Sequence, residues 1–306
     1  LQFKLIWEKK MNLKVALAPA LLALAFHSTS HATVVTYNDF SSTAGLTFVG
    51  NSSVATTADG QVLRVTRATG GQSGAVYSTT PITLGASDIF STTFKFRFTD
   101  PGGIDPADGI TFVLASNPTG LGGAGVGIGY AGVPHSVAIE FDTYNNAGFG
   151  LGNNDGSSSN HVAVDTNGNL NNLGITNVYG NGSCGFLSGS PSQNPYSVPG
   201  CMSNGDLWTA SIGYDGSKLS VQLLDPAKGF VFNAIGGMPI DIASILGTNQ
   251  AYVGFTSGTG AGWENHDIIS WQFADTTELA TVPEPATLSI VGVGLLGLLA
   301  RRRRKA

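Results

Sequence analysis

The segment Glu140-Phe-Asp142-Thr-Tyr144-Asn-Asn146, followed by Asp155 and His161, gathers oxygen and nitrogen donors beside an apolar alternation. A strand's period of two puts Ala138, Glu140 and Asp142 on one face and Val137, Ile139 and Phe141 on the other. Two carboxylates on a packed face repel each other and lose hydration, and a divalent cation satisfies both. Calcium takes roughly six to eight oxygens. Asp142, Asn146, Asp155 and the carbonyl of Tyr144 offer such atoms. His161 opens the pattern His-Val-Ala-Val-Asp, and its nitrogen suits a second ion of the transition type shared with Glu140, Asp142 and Asp155. The same residue types also populate surface loops, and a lone histidine at a strand start also serves as a plain hydrogen-bonded group. Alternation with large apolar residues is what ties Glu140 and Asp142 to a strand.

The elements that position these donors are short and β-like. Alternating or apolar segments recur at 46–49, 62–66, 75–78, 92–98, 110–115, 136–142, 161–166, 207–214, 218–224, 251–256 and 266–273. In Phe94-Lys95-Phe96-Arg97-Phe98 the rings point one way and the charges the other, a strand with one wet face. Many strands and glycine-rich turns without crossover helices predict an all-β sandwich or jelly roll. Long polar loops are expected at 117–134, 143–160 and 167–205, where binding chemistry tends to sit. The series Gly120, Gly122, Gly123, Gly125, Gly127 and Gly129 permits close backbone approach but lacks the strand-to-helix context of a phosphate loop.

Both ends read as targeting segments. Residues 1–32 read as a signal peptide with an upstream extension before Met11: Lys14, an apolar run from Val15 to Phe26, and Ser30-His31-Ala32 as a cleavage site. The other end carries Val282-Pro-Glu-Pro285, an apolar run from Ala286 to Ala300, then Arg301 to Arg304 and Lys305. At about 1.5 Å per residue that run falls somewhat short of a hydrocarbon core of roughly 30 Å, and it predicts a transmembrane helix serving as a transient inner-membrane anchor.

Between the ends, residues 33–281 hold six Lys or Arg against eighteen Asp or Glu, a net charge of -12, whereas the whole chain carries -5. Such a surface repels nucleic acid and leaves neutral glycans as plausible partners. Cys184 and Cys201 lie in a Gly-, Ser- and Asn-rich stretch without histidine, which in an exported chain favours a loop-closing disulfide over a metal site.

Several of these stretches carry a resemblance. Ala107-Asp108-Gly109-Ile-Thr-Phe, Val137 to Asn146, Asp155, His161 to Asp165, and Val253 to Gly262 with His266 to Phe273 resemble the L-type, or legume-lectin-like, family. The resemblance covers most of residues 34–274. It implies a concanavalin-like jelly-roll β-sandwich of two large antiparallel sheets, with calcium and a transition metal such as Mn2+ shaping a sugar pocket and no chemistry on the sugar. Carried over residue by residue, Glu140, Asp142, Asp155 and His161 match the transition-metal ligands. Asp142, Tyr144 through its carbonyl, Asn146 and Asp155 match the calcium ligands. Asp108 matches the sugar-binding aspartate, Asn146 also faces the sugar, and Gly123 or Gly125 with Thr259 and Gly260 completes the pocket. Tyr130, Tyr144 or Phe149 would stack on a pyranose. The segment between Asn146 and Asp155 departs from the family in being longer and rich in Gly and Asn.

The tail, in turn, resembles the PEP-CTERM sorting signal of exopolysaccharide-producing Gram-negative bacteria, which an exosortase recognises and cleaves. The expected organisation is therefore 1–32 signal segment, 33–275 lectin-like domain and 276–306 linker and sorting segment. The expected product is exported to periplasm, cell surface or matrix and binds glycan or exopolysaccharide; a homo-oligomer is compatible with this. Two rivals differ in class. A glycoside hydrolase of a related jelly roll needs Glu-x-Asp-x-x-Glu, and here the third position is Asn145, so the acid-base carboxylate is missing. A structural surface or matrix protein with metal-stabilised loops shares the same sorting signal.

Overall fold

The computed structural model describes residues 34–84, 89–147, 155, 158–178, 184–185 and 199–276. The chain divides between His31 and Ala32, and everything described belongs to the second part. Its strands, in chain order, are β1 (Val34–Tyr37), β2 (Leu46–Gly50), β3 (Ser53–Thr57), β4 (Gly60–Thr66), β5 (Ser73–Ser78), β6 (Ile82–Thr83), β7 (Ile89–Gly103), β8 (Gly109–Ala115), β9 (Ser136–Asp142), β10 (His161–Thr166), β11 (Asn169–Asn177), β12 (Trp208–Asp215), β13 (Lys218–Asp225), β14 (Phe230–Pro239), β15 (Gln250–Gly258) and β16 (Gly262–Ala274). A single α-helical turn, Ile242–Leu246, is capped by the Asp241 side chain on Ser244 N–H.

These strands make two eight-stranded antiparallel sheets, the jelly-roll sandwich that the sequence resemblance implied. The first runs β14-β13-β12-β7-β16-β4-β3 with β1 beside β16; the second runs β11-β10-β9-β8-β15-β5-β2 with β6 beside β15. Phe94, Phe96 and Phe98 point inward and Lys95 outward on β7, so its alternation is real. Their rings meet Phe112, Phe141 and Phe255 from the second sheet, with Phe94 and Phe255 edge to face at 5.0 Å.

The middle strands of the second sheet, β8, β9 and β10, are buried on both faces. The sheet's outer side carries a smaller apolar cluster that includes Tyr77, Val113, Ala138 and Leu170, roofed by Ile128, Tyr130 and Val133 from the 117–134 loop. That loop can approach because Gly129, at φ +69°, leaves no side chain against the Ser257 backbone, where a Cβ would lie 2.5 Å from the carbonyl oxygen. The acidic face of β9 is therefore enclosed, since every residue of β9 is buried.

Three expectations need correction. The sequence reads 167–205 as loop, yet β11 pairs with β10 inside it, and β1, β3 and β14 also lack a clear alternating signal. Tyr130 is fully buried, its hydroxyl bonded to Ser136 and Gly168, so it cannot stack on a ligand. The transmembrane helix is also overturned: among the described residues no helix is long and apolar enough to cross a membrane. The apolar run 286–300 on which it was placed, the signal segment 1–32 and Phe149 lie outside the described residues.

Candidate functional site

Antiparallel pairing brings the donors together. His161 stands opposite Asp142 and Ala163 opposite Glu140 across the β9–β10 ladder, so Glu140, Asp142, His161 and Asp165 share the outer face of the second sheet. Ligand atoms of Glu140, Asp142 and His161 all lie within 4.8 Å of one another. Asp155, from the following loop, joins them, with its Oδ1 4.0 Å from His161 Nε2. Its other oxygen accepts the Asn146 N–H, and Asp142 Oδ1 accepts the Tyr144 N–H. The backbone at Tyr144 and Asn146 is thereby held on the Asp142 and Asp155 carboxylates.

Burial sets the electrostatics. Glu140, Asp142, Asp155 and His161 are each no more than 2% exposed. Burial pushes Glu140 up to about 7 and Asp142 well above the ordinary carboxylate range, reinforced by the neighbouring acids, while it pushes His161 down. Arg64, Arg97 and Lys228 are committed to Asp267, Asp59 and Asp206, so none of these ion pairs brings a cation here. Glu140 Oε2, His161 Nε2 and Asn146 Oδ1 are buried with no hydrogen-bond partner among the described residues. Converging acidic oxygens and one imidazole nitrogen fit a divalent metal ion.

Two further residues belong to this cluster. Asp165, wholly buried, lies against Glu140, and burial followed by Glu140 raises it well above its usual range. The Asn172 side chain donates to Asp155 Oδ1 at 2.7 Å while its N–H donates to Asp165 Oδ1 at 2.8 Å, locking both acids to β11. The period-two spacing of His161 and Asp165 carries a signal for Asp165. Asn172 lies in the segment read as loop and carries none.

Beside the cluster is a cavity of about 250 Å³ lined by Asp108, Asn146, Tyr144, Gly125, Gly260 and the exposed side chain of Ile104. Burial pushes Asp108 up to about 7, opposed by the Asn146 side chain and the Gly260 backbone, and its Oδ2 has no hydrogen-bond partner among the described residues. The Ala107–Asp108 peptide is cis. Gly123 and Thr259, both expected at the pocket, do not line it. Thr259 turns its hydroxyl into the 69–72 turn, donating to Thr69 O at 2.6 Å and accepting from Gln72 N–H, while its carbonyl holds the Gly125 N–H. Gly123 is engaged with Gly129 and Ala131 within its own loop.

A further buried carboxylate is held by hydroxyl groups. Glu264 Oε1 accepts from Thr143 Oγ1 at 2.8 Å and from Ser203 Oγ at 2.9 Å, and Glu264 is fully buried. Extending the 266–273 alternation back by one period would have put Glu264 on the inner face with His266. Ser203 belongs to the segment tied down by the Cys184–Cys201 disulfide. Asn160, next to His161, clamps that segment through Gly200 O and Met202 N–H.

The sequence matches the legume lectin domain over residues 32–289. The chain belongs to the legume lectin family. Lectin family relatives include the lectin alpha chain of Lablab purpureus, 29% identical over 74% of this chain and 78% of that protein. The putative L-type lectin-domain containing receptor kinase I.1 of Arabidopsis thaliana is 28% identical over 73% of this chain, which spans only 34% of that kinase. Peanut lectin shares the fold with a TM-score of 0.63 at 23% identity, covering 83% of this chain and all of that one. A basic winged bean lectin gives 0.61 at 22%, covering 79% and 98%. Residues 281–305 match the PEP-CTERM protein-sorting motif. The chain thus joins a lectin-like domain of a carbohydrate-binding family to a C-terminal protein-sorting motif.

Proposed function

We propose that residues 33–275 form a calcium-dependent domain that binds glycan or exopolysaccharide reversibly, between a signal segment (1–32) and a sorting segment (276–306) that directs the chain through the periplasm to the cell surface or matrix. The observation that carries this reading is the shared segment Asp142 to Asn146. It begins in the acidic cluster and ends in the cavity wall, so order in one is order in the other.

Asp142, Asn146, Asp155 and the Tyr144 carbonyl would hold calcium, with Glu140, Asp142, Asp155 and His161 holding a second ion such as manganese; bound there, the ions supply the positive charge that lets the buried acids stay ionised. The chain's own groups then do the binding. Asp108 Oδ2, buried and without a partner among the described residues, is complementary to a sugar hydroxyl that donates to it, while Asn146 Oδ1 is left to the cation. The Asn146 side-chain N–H supplies a donor beside them. Tyr144 and Ile104 offer apolar surface to a pyranose face. The small cavity suits one sugar ring at a chain end or branch.

Glycan-array and calorimetric titration with calcium, after chelation with metal content verified, and with Asp108→Ala test this. Binding that disappears in the metal-free protein and in the variant is expected. Undiminished affinity in either would overturn it, and no binding to any glycan with calcium present would favour the structural matrix reading.

A further inference from the structure

Behind the cavity, three buried side chains from three strands close a ring of hydrogen bonds around one residue. Gly109 N–H donates to His266 Nε2 over 3.1 Å. That nitrogen must then be unprotonated, so Nδ1 carries the hydrogen and donates to Thr66 Oγ1 at 2.8 Å. The Thr66 hydroxyl in turn donates to Ser257 Oγ at 2.7 Å, and Ser257 donates to the Gly109 carbonyl at 2.8 Å. Since the Gly109 N–H occupies the Nε2 lone pair, the 3.5 Å approach of Glu264 Oε1 to that nitrogen is a neighbour contact and not an ion pair. Thr66, Ser257 and His266 are all fully buried, so water cannot stand in for any member.

The ring grips the residue that follows Asp108. The peptide unit joining the two is held at both ends: the Asp108 carbonyl accepts the Thr143 N–H at 3.0 Å, and the Gly109 N–H is on His266. On the other side, the Asp108 N–H donates to Gly258 O at 3.1 Å. Gly109 itself, at φ +116°, leaves no room for a Cβ against the Phe141 carbonyl. With the backbone fixed before and after it, Asp108 retains only its side-chain torsions.

We propose that Thr66, His266 and Ser257 are positioning residues for carbohydrate binding: their hydrogen-bond ring sets the plane of the Asp108–Gly109 peptide and thereby aims the Asp108 carboxylate into the cavity. None of the three lines that cavity. A ligand held by a few hydrogen bonds loses affinity when its acceptor must be ordered on binding, so a pre-aimed carboxylate raises affinity without adding a contact. This inference rests on the glycan-binding reading above.

The test uses the calcium-loaded full chain in wild-type form and as Thr66→Val, Thr66→Ser and Ser257→Ala. Thr66→Val keeps shape and removes the hydroxyl; glycan affinity is expected to fall about tenfold, the loss of one buried link, and Thr66→Ser to restore it. Calcium affinity stays unchanged in all three, which separates positioning from general damage. Ser257→Ala replaces Thr66→Val should the latter fail to fold, with the same expected loss. Nitrogen-15 NMR of the histidine rings supplies a readout independent of sugar, with His266 expected as the Nδ1–H tautomer in wild type. Wild-type affinity in Thr66→Val or Ser257→Ala, or a His266 proton on Nε2, overturns the inference. If wild type binds no glycan, the functional reading fails, and the tautomer still decides whether the ring exists as described.

Discussion

His161 Nε2 lies 3.9 Å from Glu140 Oε2, two buried groups on neighbouring strands with no hydrogen-bond partner between them. That separation is too long for a hydrogen bond and suits two atoms sharing a third. The first prediction follows. Glu140→Gln is expected to lower metal affinity about tenfold or more while raising the melting temperature of the chelated protein, because an uncompensated buried acid is removed. Calorimetry with and without chelator checks both signs; a chelated variant less stable than chelated wild type would contradict them.

Metal affinity should fall with pH. In the metal-free protein Glu140 is raised from 4.5 to about 7, so the folded state binds a proton that the unfolded chain has released. Its contribution to metal-free stability is full below about pH 4.5 and declines as pH rises toward 7. The metal competes with that proton, so the loaded protein behaves oppositely. Thermal melts between pH 5 and 8, with and without calcium, are expected to diverge as pH rises, through about two pH units that bracket the raised value. Parallel curves would argue against a proton held by Glu140.

Asp108→Asn is expected to abolish detectable glycan binding yet leave the fold intact or slightly more stable, since the neutral amide avoids the cost of a buried carboxylate. Paired calorimetric titration and thermal unfolding separate the two effects. A large stability loss with retained binding would assign Asp108 to the framework instead.

Reduction of the Cys184–Cys201 bridge should cost on the order of 3 kcal/mol by chain entropy. It should also weaken calcium binding, because Asn160 ties Gly200 and Met202 to the strand start at His161. Denaturant titration of Cys201→Ser, alongside its calcium affinity, measures both; an unchanged metal affinity would show that the bridge acts on stability alone.

For the sandwich itself, Phe94→Ala is expected to destabilise by about 3–5 kcal/mol, since the ring is fully buried and its removal opens a cavity between the sheets. Chemical denaturation gives the value directly.

Those parts of the fold written in period-two alternation were legible. Phe94 to Phe98 and Val137 to Asp142 announce their strands and their faces, and the donors of β9 and β10 were readable because alternation placed polar residues where packing demands apolar ones. Asn169 to Asn177 was not, because three of its first four residues are asparagines and its pairing with β10 is broken by two register shifts. The face of Glu264 was within reach of the 266–273 alternation, but its bonds, like those of Asn172, were not. Each acts through a partner distant in sequence, Thr143 and Asp155 respectively, and no local pattern encodes such a bond. Thr259 and Gly123 illustrate the converse: proximity along the chain to pocket residues does not settle which way a hydroxyl or a turn faces.

Strands roofed on both sides have a kinetic consequence. The amides of β8, β9 and β15 belong to buried, paired strands, so their exchange with solvent is expected only on large-scale opening of the sandwich. Under the proposed reading, loss of the cation would cost order at the acidic cluster first, while the buried strands behind it stay paired.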